Sequence, residues 1–171
     1  IADVNGDGRM DVLGANKGAA DIIDPSLPSA ARPTSLFLID GDPLDPASWR
    51  EQVLSRDVVP NTAMPVDVDE DGDIDVLAAA RLHQSMTLLE NTGTREDGSI
   101  QVTPHPIEIA PGFDAPENWK ATSNGFQTDF EDIDGDGRVD LAVAVHETPA
   151  SIHGSPLLAS LGWLKQPETL D

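Results

Sequence analysis

The chain contains no cysteine. That excludes a disulfide framework and any cysteine-ligated zinc site. No apolar run approaches the length of a bilayer span, and no leader-type segment is visible. Positive charge is scarce: ten Lys and Arg stand against 31 Asp and Glu, for a formal net charge of -21. Such a balance argues against nucleic acid or an anionic membrane surface as a partner. The chain has no "GxSxG" and no "HExxH", and "NKGAAD" and "SIHGSP" lack the flanks of a phosphate loop. Strong acidity accompanies disorder where apolar residues are few. Here 39% of the 171 residues are hydrophobic and they fall in ordered blocks, enough for one or two small domains with a core. The sequence opens inside a motif, "IADVNGDG", which leads us to expect a natural start further upstream.

What is present is acid in a pattern. Thirteen of the 31 acidic residues lie in three windows of nine, "DVNGDGRMD" from Asp3, "DVDEDGDID" from Asp67 and "DIDGDGRVD" from Asp132. Counted from the first Asp, positions 1, 3, 5 and 9 are Asp3, Asn5, Asp7 and Asp11 in the first window. They are Asp67, Asp69, Asp71 and Asp75 in the second, and Asp132, Asp134, Asp136 and Asp140 in the third. Position 6 is always glycine: Gly8, Gly72 and Gly137. Crowded carboxylates repel unless a cation lies among them. Calcium takes six to eight oxygens from a flexible loop, and a glycine permits the turn that aims them inward. Position 7 (Arg9, Asp73, Arg138) would add its backbone carbonyl, leaving its side chain free to vary. Arg9 and Arg138 are expected to point outward, so that the carboxylates lack a counter-charge. The first site is expected to be the least complete, because Asn5 replaces an aspartate. Three calcium sites are therefore expected. They are not EF-hands: position 12 is Gly14, Ala78 or Val143 rather than a bidentate Glu. The segments that follow, "VLGA", "VLAAA" and "LAVAV", are apolar on both faces and read as central strands.

The windows recur at spacings of 64 and 65 residues, which points to a repeat architecture. After each loop strand comes a second apolar segment, "SLFLID" at Ser35, "MTLLEN" at Met86 and "LGWLKQ" at Leu161. A third follows, "WREQVL" at Trp49 and "TPHPIEI" at Thr103. A strand then leads into the next loop, "TAMPVDVD" at Thr62 and "GFQTDFEDID" at Gly125. Four strands per unit is the content of a propeller blade. The units run approximately over residues 1–61, 62–124 and 125–171 of a single all-β segment.

The loop "DxDGDGxxDL" and the "LLENTG" and "GWLKQP" segments resemble the FG-GAP/VCBS repeat of integrin-alpha-type β-propellers and many secreted bacterial proteins. The first unit departs from it, with "LIDGDPLDP" where "ENxG" is expected. The resemblance implies about seven blades in a closed ring. This chain accounts for about two and a half blades of four antiparallel strands, so the remaining blades are expected as partners, from the same parent chain or other chains. An open stack would otherwise leave apolar faces and strand edges in water.

If the acidic loop joins the first two strands of each blade, the other connections gather at the opposite face. There the sequence places Lys17, Arg81, His83, His146, Glu147 and His153, with Trp119 and Lys120. An exposed Trp beside polar groups suits stacking on a sugar ring. His, carboxylate and base together suit proton abstraction, so His83, His146, Arg81 and Lys17 are the catalytic candidates and Trp119, Lys120, His153 and Glu147 the ligand-binding ones. Two functions fit. One is a secreted, calcium-stabilised module that binds a glycan or protein on this face. The other is a carbohydrate-active lyase or dehydratase on the same scaffold. Sites of this ligand type outside cells work at roughly 10⁻⁴–10⁻³ M calcium, which points to a secreted or cell-surface setting. His105 falls on an outer strand and is assigned no role.

Overall fold

The computed structural model describes residues 1–16, 31–58, 60–80, 85–107, 121–122, 128–147 and 160–167. They form an all-β protein of three antiparallel sheets. The first sheet has the order β1 (Val12–Ala15), β2 (Ala31–Ile39), β3 (Trp49–Val58). The second is a four-stranded meander, β4 (Pro60–Val66), β5 (Asp75–Ala80), β6 (Ser85–Thr94) and β7 (Ile100–Ile107). In the third, β10 (Asp140–Glu147) lies between β11 (Ser160–Leu164) on one side and β8 (Ala121–Thr122) and β9 (Thr128–Glu131) on the other. A bridge between Ala2 and Asp11 begins a fourth row in the first sheet. No helix among the described residues is long and apolar enough to cross a membrane.

Strand β5 shows why the segments after the loops are apolar on both faces. All six of its residues are buried. By the two-residue period of a strand, alternate side chains leave on opposite sides. Val76 and Ala78 pack with Leu89 toward the first sheet, against Leu13 and Leu54. Leu77 and Ala79 pack with Met86 toward the third, against Leu141 and Val143. The middle sheet is thus covered on both faces, as the blade of a propeller is. A third cluster, of Val4, Leu36, Leu38 and Ile100, seals the first sheet onto it near the loops.

The outer face of the first sheet is different. Phe37 and Trp49 lie there with ring centroids 6.3 Å apart, and Trp49 and Val53 stay well exposed. Partial blades of this kind imply completion by further blades. The expected strands are all found in order. Strand β7 starts three residues before the "TPHPIEI" segment, at Ile100, because the β6–β7 ladder continues past a bulge at Thr92 and Gly93 to pair Thr94 with Ile100.

Candidate metal centre

Each acidic window is the turn between two neighbouring strands of a sheet, with residues 67–74 between β4 and β5 as the clearest case. The three turns fold alike. The position 6 amide donates to Oδ2 of position 1: Gly8 to Asp3 at 2.8 Å, Gly72 to Asp67 at 3.2 Å and Gly137 to Asp132 at 3.0 Å. The position 7 amide donates to Oδ1 of position 5, at 2.9, 2.8 and 3.0 Å. Position 6 needs its glycine, since φ is +87°, +94° and +92°. Position 4 also has positive φ, at Gly6 (+71°), Glu70 (+60°) and Gly135 (+78°).

Glu70 is the only non-glycine among the described residues with positive φ. Left-handed backbone costs a side-chain-bearing residue about 1 kcal/mol. We expect Glu70→Gly to stabilise the protein by about 0.5 kcal/mol, the extra chain entropy of glycine offsetting part of the relief. Glu70→Gln, which removes the charge and keeps the strain, separates the two effects in a denaturant titration.

The carboxylates converge in the second and third loops. Ligand oxygens of Asp67, Asp69 and Asp71 lie within 4.8 Å of one another, as do those of Asp132, Asp134 and Asp136. In the first loop Asn5 takes the middle place between Asp3 and Asp7. Its Oδ1 accepts from the Asp7 amide at 3.2 Å, and its Nδ2 donates to the carbonyl of Gly98 at 3.2 Å. The loop is tied in this way to the β6–β7 turn.

A cation fits the second loop on its own chemistry. Asp67 Oδ1 is buried and has no hydrogen-bond partner among the described residues. The equivalent oxygens of Asp3 and Asp132 both accept the position 5 amide. A buried carboxylate oxygen left unpartnered is costly, and a metal ion would satisfy it. The third loop departs from expectation. Arg138 does not point outward: its Nη2 lies 2.6 Å from Asp136 Oδ2. Lys165 Nζ pairs with both Asp134 and Asp136, the latter at 2.8 Å. These carboxylates hold the Lys165 ammonium well above its ordinary pKa. For this loop the expectation of an uncompensated acidic cluster is corrected.

Position 9 has a role that residue type alone does not disclose. Asp11, Asp75 and Asp140 are almost wholly buried, and each carboxylate bridges two backbone amides. Oδ2 accepts from position 2 of its own loop: Val4 at 3.1 Å, Val68 at 3.0 Å and Ile133 at 3.1 Å. Oδ1 accepts from the third strand of the sheet, or the residues just after it: Ile39 at 3.4 Å, Asn91 at 2.7 Å and Gln166 at 3.0 Å. Burial drives the Asp75 pKa up to about 6 against these bonds, and pushes Asp11 and Asp69 upward too. Asn91 and Gln166 then reach the next loop along. Asn91 Nδ2 donates to the carbonyl of Val4 at 3.0 Å, and Gln166 Nε2 to that of Val68 at 2.7 Å. The loops are thereby linked in a line from sheet to sheet. The "EN" and "KQ" of the second apolar segments carry this link, and only their recurrence at equivalent places in the repeat signalled it.

The candidates for the opposite face stand differently. Lys17, Arg81, His83, Trp119, Lys120 and His153 lie outside the described residues. His146 and Glu147 end β10, paired in register with Thr122 and Ala121, far from the loop. His105, on β7, pairs through Nε2 with Glu90 Oε2 at 2.6 Å. It borders a groove of about 290 Å³ between the second and third sheets, with Leu88, Ile107, Phe130 and Leu164.

A family model described as an FG-GAP-like repeat matches residues 67–143. That span starts at the first carboxylate of the second loop and ends in the strand after the third. No curated protein and no solved structure matches the chain.

Proposed function

We propose that this chain, which carries an FG-GAP-like repeat, is part of a calcium-stapled β-propeller whose acidic loops lock each blade's first turn. The observation that carries this reading is the unpartnered, buried Asp67 Oδ1 within the Asp67, Asp69 and Asp71 triad. The first loop would hold its ion through Asp3, Asn5, Asp7 and the Arg9 carbonyl. The second would use its triad and the Asp73 carbonyl, and the third Asp132, Asp134, Asp136 and the Arg138 carbonyl. Asp11, Asp75 and Asp140 have one lone pair per oxygen left for an ion. Oxygen-only donor sets of this size suit a hard cation such as calcium. The role is structural: bound calcium neutralises the loop, and the face at the far ends of the strands meets a glycan or protein partner outside the cell. Trp119 is the residue we would substitute first to test that face, by binding to a panel of polysaccharides.

Calcium titration of the thermal transition tests the staple. At free calcium ten times a site's Kd, each filled site should add about 1.4 kcal/mol, and excess chelator should remove it. An unchanged melting temperature between chelator and millimolar calcium would overturn the proposal. In the metal-free form the pH dependence is also set. Asp75 binds its proton more tightly folded than unfolded, so the folded state carries more protons between about pH 4 and pH 6. Stability in chelator should therefore rise as pH falls from 7 to 5, checked by melting curves, and calcium should flatten that rise.

A further inference from the structure

We propose that the three loops hold a divalent cation unequally: the second is the tight site, and the third is neutralised from within by Lys165, which an entering metal must displace. This rests on the reading that the loops bind metal. The contrast arises at one place in the repeat. Glu90 and Lys165 each directly precede the residue, Asn91 or Gln166, whose backbone amide the position 9 carboxylate holds. At the second loop this place adds an acid. Glu90 stands on β6 directly before Asn91, and its carboxylate is fixed by the 2.6 Å contact with His105. The window itself carries six acids and no base, and Asp67 Oδ1 remains without a partner among the described residues.

At the third loop the same place supplies a cation. The Lys165 ammonium sits on Asp134 Oδ2 and Asp136 Oδ2, carboxylates of two of the three residues in the triad, and Arg138 shares Asp136. An ammonium and a divalent ion cannot occupy one triad, since like charges at such separation repel strongly. Metal entry there must break both Lys165 ion pairs and return the side chain to solvent. Entry at the second loop breaks no ion pair among the described residues. Calcium should fill the second loop first and the third only at higher concentration.

The test is calcium binding to the whole chain by isothermal titration and equilibrium dialysis, with melting curves alongside. In the parent, one tight equivalent should be lost on Asp69→Asn, with weaker binding following it. Lys165→Glu, which copies Glu90, should add a second tight equivalent, raising third-loop affinity at least tenfold. Glu90→Gln should weaken the tight site several-fold. Lys165→Met should lower the melting temperature in chelator, yet enlarge the gain on adding calcium. A merely structural lysine would lower both curves equally. If calcium binds but neither Lys165→Glu nor Lys165→Met alters the isotherm, or if all loops fill together in the parent, this inference fails while the staple stands. If the parent binds no calcium at millimolar concentration, the staple reading fails, and the inference with it.

Discussion

Asp75→Ala is expected to cost about 4 kcal/mol, enough to unfold a protein of this size or bring it to the edge of unfolding. The carboxylate is almost wholly buried and receives two backbone amides, from Val68 at 3.0 Å and Asn91 at 2.7 Å. Alanine leaves both donors buried without an acceptor, and each such loss costs about 1–3 kcal/mol. A small void at the loop's base adds to the penalty. Asp75→Asn should recover little of it. Both bonds come from N–H donors, so two acceptor oxygens are required, and the amide offers one. Opposing this is the cost of burying the charge, which is what raises the Asp75 pKa. The two variants are therefore best compared with the parent at pH 5 and pH 7 by urea denaturation. If Asp75→Ala melts like the parent in chelator, the carboxylate is only a metal ligand and the clamp described here is unimportant.

The architecture was legible because its determinants are local. Alternation is lost where a strand is covered on both sides, so "DVLAAA" announces a strand buried on both faces. Glycine at position 6 announces a turn that only glycine makes easily, and three windows at an even spacing announce repetition. The convergence of the first carboxylates in the second and third windows was legible for the same reason: they meet within a few residues of themselves. What escaped acts across the fold. Asp140 holds the amide of Gln166, 26 residues on; Lys165 reaches Asp134 across 31 residues; Asn91 reaches back 87 residues to Val4. No periodicity in one sequence specifies such pairings, because they depend on how one sheet registers against the next. Arg138 departs from expectation for a related reason. In isolation a guanidinium at a loop tip belongs in water, but here an aspartate two residues away is already turned toward it.

Asn91→Leu is expected to cost about 3 kcal/mol and to loosen the first sheet from the second. Leucine keeps asparagine's branched skeleton of four heavy atoms, so the substitution removes polar pairing without removing bulk. Asn91 is almost wholly buried. Its Nδ2 donates to the Val4 carbonyl at 3.0 Å and to the Ile74 carbonyl at 3.3 Å, and its Oδ1 accepts from Gly93 at 3.2 Å. Its own amide would still reach Asp75, so the clamp survives while the link between loops is lost. Two carbonyls and one amide are then left short of a partner, and the unmade bonds outweigh the added apolar burial. Gln166→Leu breaks the corresponding link at Val68, but that side chain is only half-buried, so about 1 kcal/mol is expected. Hydrogen exchange discriminates the link from simple core damage. With Asn91→Leu, protection should fall for the amides of Val4, Asp7 and Gly8 in the first loop, more than for β5 and β6, which keep their own ladder. Loss spread evenly over all three sheets would show that Asn91 supports the core alone and that the loops are not joined through it.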